Sequence, residues 1–69
     1  MNNLEKLNVI LDYKIALIEA DVKEYTELKN KYEVEDNKEK VAYWENAIKR
    51  NKDIAYGIQQ AKEAISTLK

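Results

Sequence analysis

Cysteine, histidine, proline and phenylalanine are absent from these 69 residues, and glycine occurs once, at Gly57. Without cysteine there can be no disulfide framework, and without cysteine and histidine the usual ligand sets for structural zinc or haem are missing. No metal, cofactor or catalytic residue is therefore expected. Chains this short bury too little surface to be comfortably stable, and the remedies left open are very regular helix packing and oligomerisation. The lack of cysteine fits a cytoplasmic setting. The first residues have no basic start followed by an unbroken apolar run, so no secretory signal is expected. No stretch approaches the roughly 18–20 consecutive apolar residues of a spanning helix, so no membrane partner is expected either. Twelve basic against 13 acidic residues leave a net charge of −1, which argues against nucleic acid as a partner.

What is present points to long helices. Charged residues make up 36% of the chain, and alanine, glutamate, lysine, leucine and isoleucine dominate it, the composition of an extended helix or coiled coil. Lysine far outnumbers arginine, of which Arg50 is the sole example, and asparagine, isoleucine and tyrosine are common. That bias is typical of AT-rich coding sequences such as those of low-GC bacteria and their phages.

With Leu4 at heptad position a, the a residues of the first half are Leu4, Leu11, Ile18, Tyr25 and Tyr32, and the d residues are Leu7, Lys14, Asp21 and Leu28. In the second half, with Trp44 at a, the a residues are Trp44, Asn51, Ile58 and Ile65, and the d residues are Ala47, Ile54, Ala61 and Leu68. Mostly apolar a and d positions make a coiled-coil seam. The polar stretch Glu33 to Asn37 breaks the pattern, and Asp36 followed by Glu39 forms a capping box for a second helix, as Asn2 and Glu5 do for the first. The expected fold is all-α: an antiparallel two-helix coiled-coil hairpin, helices at about 3–33 and 37–68, each about 45 Å long, forming one domain over residues 1–69.

A turn near Glu35–Asn37 requires facing residues whose numbers sum to about 72. That register predicts the layers Leu4–Leu68, Leu7–Ile65, Leu11–Ala61, Lys14–Ile58, Ile18–Ile54, Asp21–Asn51, Tyr25–Ala47 and Leu28–Trp44. On the g flank it pairs Ile10 with Ala64, Leu17 with Gly57, Glu24 with Arg50 and Lys31 with Tyr43. On the e flank it pairs Ile15 with Ala55, Val22 with Ile48 and Lys29 with Val41. Asp21 and Asn51 then read as a polar layer that specifies register, since one carboxylate and one amide cannot hold a metal alone. Lys14 reads as a packed stem with its ammonium carried to solvent.

Beside this seam, Ile10, Tyr13, Leu17 and Ala20 recur at three- and four-residue spacing, and Ile15 and Val22 widen the other flank. The resulting apolar arc is too broad for a single partner helix. A second copy covering it would give a homodimeric four-helix bundle. Tyr43, Lys49, Lys52 and Tyr56 make a candidate partner face, because tyrosine is favoured in protein interfaces. The simpler reading of Lys49 and Lys52, with Arg50, Lys38 and Lys40, is a solvated helix surface interspersed with acids.

With no histidine, cysteine or paired carboxylate and no cleft in a bare hairpin, an enzyme is not expected. The leading expectation is a small regulator or inhibitor that binds a protein partner through helical faces, in its most specific form a phage or mobile-element product directed at a host protein. A second is an RNA-binding dimeric bundle, which in architecture resembles the plasmid copy-number regulators that grip paired RNA loops. A third is a structural subunit of a larger assembly.

Overall fold

The computed structural model describes residues 2–68. Two helices make up the fold: α1, Asn3–Val34, and α2, Lys38–Ser66, folded back on each other as an antiparallel hairpin. Each start is capped by an asparagine side chain. Asn2 accepts from the Glu5 N–H at 2.8 Å and Asn37 accepts from the Lys40 N–H at 3.2 Å. The second cap is Asn37 where the capping-box pattern predicts Asp36. Asp36 has another task. It adopts φ 56°, the left-handed conformation that closes α1, and its N–H donates to Glu33 O at 3.1 Å while the Asn37 N–H donates to Tyr32 O at 2.9 Å. This is a Schellman motif with aspartate where glycine is usual. One residue ends the first helix and the next begins the second, so the connection is as short as the polar break implies.

The register agrees with the turn. Asp12 pairs with Lys62, Lys29 with Glu45, Lys40 lies over the Tyr32 ring at 4.7 Å, and the Tyr25 and Trp44 rings stand 5.0 Å apart. All four pairs have residue numbers summing to within a few of 72.

The rotation of the helices about their own axes differs from the heptad assignment. Half-buried residues on α1 are Leu4, Asn8, Leu11, Ile15, Ile18, Val22, Tyr25, Leu28, Lys29 and Tyr32; those on α2 are Val41, Trp44, Ile48, Asn51, Ala55, Ile58 and Lys62, with Ala47 and Ile65 fully buried. Apart from Leu28 and Ala47, which are d residues, these are the a and e positions. Most of the d positions assigned to the seam, namely Leu7, Lys14, Asp21, Ile54, Ala61 and Leu68, are exposed. Charge desolvation supplies the reason. An a/d seam would bury Lys14 and Asp21 without partners; turning α1 a fraction of a turn replaces them with Ile15 and Val22. The predicted Asp21–Asn51 layer is thus not formed, and Glu24 and Arg50, also predicted to pair, make no ion pair.

The hairpin is a thin rod of 50 × 17 × 10 Å. Its radius of gyration of 15.8 Å compares with about 11 Å for a compact chain of this length. Its only fully buried residues among those described are Ala47 and Ile65, so two helices alone enclose almost no core.

Candidate interaction face

The seam divides the rod into two unlike sides. On the first lie positions b and e. Asp12 and Lys62 pair across it, and Lys29 bridges Glu33 and Glu45 at 3.5 Å each. Asn8, Gln59, Glu63 and Ser66 surround the Asp12–Lys62 pair, and Glu19 and Lys52 border Ile18, Val22 and Ala55. Ion pairs cross this side toward either end, with the apolar Ile18, Val22 and Ala55 between them.

On the second side lie positions d and g of both helices, which adjoin in an antiparallel pair. Ile10 is 51% exposed and Leu17 49%, facing across to Ile54 at 54% and Leu68 at 71%, with Leu7 also exposed. Ala61, Ala64 and Gly57 fill the spaces between them. Toward the loop the same side carries Tyr43, Ala47, Arg50 and Ile54, which line a shallow depression with Tyr25 and Trp44. Charged residues at these positions are Lys14, Asp21, Glu24 and Arg50, with Lys31 and Lys40 nearer the loop, and none takes part in an ion pair among the described residues.

Gly57 belongs to this side and is unexplained by the hairpin. Its φ is not positive, and a Cβ built on it would meet nothing within 4 Å. Glycine inside a helix costs about 1 kcal/mol relative to alanine. Leu17, its partner in the predicted register, does not come within 4 Å of that position.

The sequence-predicted residues distribute unevenly. Ile10, Tyr13, Leu17 and Ala20 are exposed along α1. Ile15 and Val22 are turned inward instead: both are half-buried between the helices, because they replaced Lys14 and Asp21 in the seam. They do not widen an outward arc. Tyr43 packs edge-on against Trp44 with ring centroids 4.9 Å apart, an extension of the Tyr25–Trp44 contact. Lys49, Lys52 and Tyr56 are exposed along α2 at three-, four- and seven-residue spacing, and Tyr43 lines a shallow depression together with Lys49, Arg50 and Asp53. Leu7, Ile54 and Leu68 were missed as face residues, since a/d periodicity alone assigns them inward. The signal that reveals them is the presence of Lys14 and Asp21 at the same heptad position.

Among the described residues no acidic side chains gather into a set of three that would hold a metal ion, and no helix is long and apolar enough to cross a membrane. The chain matches no family model, no curated protein and no solved structure.

Proposed function

We propose that this chain is a non-enzymatic protein-binding module, a small regulator or inhibitor acting through helical faces, and that it works as a homodimer closed into a four-helix bundle. One observation carries this: the hairpin exposes 5350 Å², whereas a compact monomer of 8.1 kDa exposes about 4,500 Å². The excess of roughly 850 Å² is close to the ~800 Å² that each partner contributes to a standard protein interface. Leu7, Ile10, Leu17, Ile54 and Leu68 are among the large apolar side chains left exposed. Each of these half-exposed side chains stands to gain about 1 kcal/mol on being covered. A second copy covers both faces at once and supplies the core that two helices lack. The dimer leaves Lys49, Lys52 and Tyr56 outside, on the surface available to a different protein.

Sedimentation equilibrium tests the dimer. The wild type is expected to be dimeric at micromolar concentration, and Leu17→Glu to be monomeric and much less stable, since it would bury an unpaired carboxylate. A wild type that sediments as monomer defeats the dimer and leaves the Ile10–Tyr13–Leu17 stripe to another polypeptide. For the outer surface, a partner captured by the wild type should be lost by a Tyr56→Ala, Lys52→Glu variant that still dimerises.

A further inference from the structure

The d and g positions of α1 from Leu7 to Leu28 carry an ordered pattern: apolar at Leu7 and Ile10, positive at Lys14, apolar at Leu17, negative at Asp21 and Glu24, and apolar at Leu28, which is half-buried. This pattern is self-complementary. Reversed about a point near Ile18, Leu7 and Ile10 fall on Leu28, and Lys14 falls between Asp21 and Glu24. We infer, on the basis of the homodimer proposed above, that the second copy lies antiparallel on the first, α1 on α1 and α2 on α2, with the two-fold axis passing near Ile18 and Ile54. Lys14 of each protomer then stands opposite the partner's Asp21 and Glu24.

Two stackings keep all neighbouring helices antiparallel, and charge decides between them. If the hairpins point the same way, Asp21, Glu24 and Arg50 of both copies meet at one level, four acids against two bases, while the two Lys14 ammonium groups face each other with no acid. If they point opposite ways, each level holds Asp21, Glu24 and Arg50 of one copy with Lys14 of the other, two acids against two bases. Like charges held together in an interface being covered are strongly unfavourable, so the second stacking wins. The same alignment accounts for Gly57. It brings the Arg50 stem of one copy over the partner's Gly57, into the open space where a Cβ meets nothing within 4 Å. It also sets Tyr43 against the partner's Ala64, and Ala47 against the partner's Ala61.

Charge exchange, read by sedimentation equilibrium with helicity checked by circular dichroism, tests the alignment. Lys14→Glu should raise the dimer dissociation constant about ten- to hundredfold, and so should the pair Asp21→Lys, Glu24→Lys. Mixed one to one, the two variants should form a heterodimer in preference to either homodimer, because residue 14 of each copy again faces residues 21 and 24 of opposite charge. Ile54→Cys, near the axis, should form an interchain disulfide on mild oxidation. A wild type that dimerises while Lys14→Glu dimerises equally or more tightly, and the mixture shows no preference for heterodimer, overturns the alignment and leaves the dimer standing. A monomeric wild type overturns both.

Discussion

Asp36 holds a left-handed backbone conformation, φ 56°, in a position where side chains other than glycine, asparagine and aspartate are strongly disfavoured. Its short polar side chain makes the strain tolerable without removing it. Replacing Asp36 with glycine should raise stability by about 0.5–1 kcal/mol, a rise of several degrees in the unfolding midpoint of a domain this size; a fall in the midpoint would show that the aspartate side chain itself holds the turn. Asn8 presents the converse case. It sits half-buried in the seam between Leu4 and Leu11, and its side-chain oxygen is buried with no hydrogen-bond partner. An unpartnered buried oxygen costs about 1–3 kcal/mol, so Asn8→Leu should stabilise the hairpin by about 1–2 kcal/mol in urea unfolding. No gain on substitution would mean that the amide is satisfied in solution, and the seam there is wetter than its residues imply.

At the scale of the helices, caps and turn were legible from local chemistry alone. Asn2 beside Glu5 and the polar break around Asp36 needed no tertiary information, and they located both helix starts to within a residue or two. The seam was harder to read because the apolar arc on α1 is wider than one neighbour can cover. The a positions lie inward under either assignment; d and e compete for the remainder. In α1 the e set holds Asn8, Ile15, Val22 and Lys29 against a d set of Leu7, Lys14, Asp21 and Leu28, and the e set keeps more charge in water. The energetic consequence is measurable. Ile65→Ala, at a position only 8% exposed, should cost about 2–4 kcal/mol, whereas Val34→Ala, at 89% exposed, should fall within about 0.5 kcal/mol of the wild type. Equal effects at the two positions would mean that the buried stripe has been placed wrongly.

At the scale of the molecule, a rod with two buried residues among those described is a half-built core, and its stability should depend on what completes it. If that is a second copy, mass action ties folding to protein concentration. A tenfold rise in concentration is then expected to lift the thermal midpoint by about 4 °C for a dimer of this combined size, where a monomer's midpoint would not move. Scanning calorimetry over two decades of concentration separates the two cases. The same measurement on Leu17→Glu should show no concentration dependence.

The sequence by itself determined the number of helices, their ends, the tightness of the turn and the antiparallel register. Each follows from short-range chemistry: capping side chains, a polar break, and a loop too short to allow anything else. The tertiary structure alone decided which slice of each helix faces inward, and with it the fate of Leu7, Ile54 and Leu68, which changed from seam residues to exposed ones, and of Ile15 and Val22, which changed from flank to seam. Heptad periodicity defines an apolar arc but not the rotation of that arc. The rotation comes from comparing desolvation of Lys14 and Asp21 with the burial gained by Ile15 and Val22, a balance struck only when both helices are in contact.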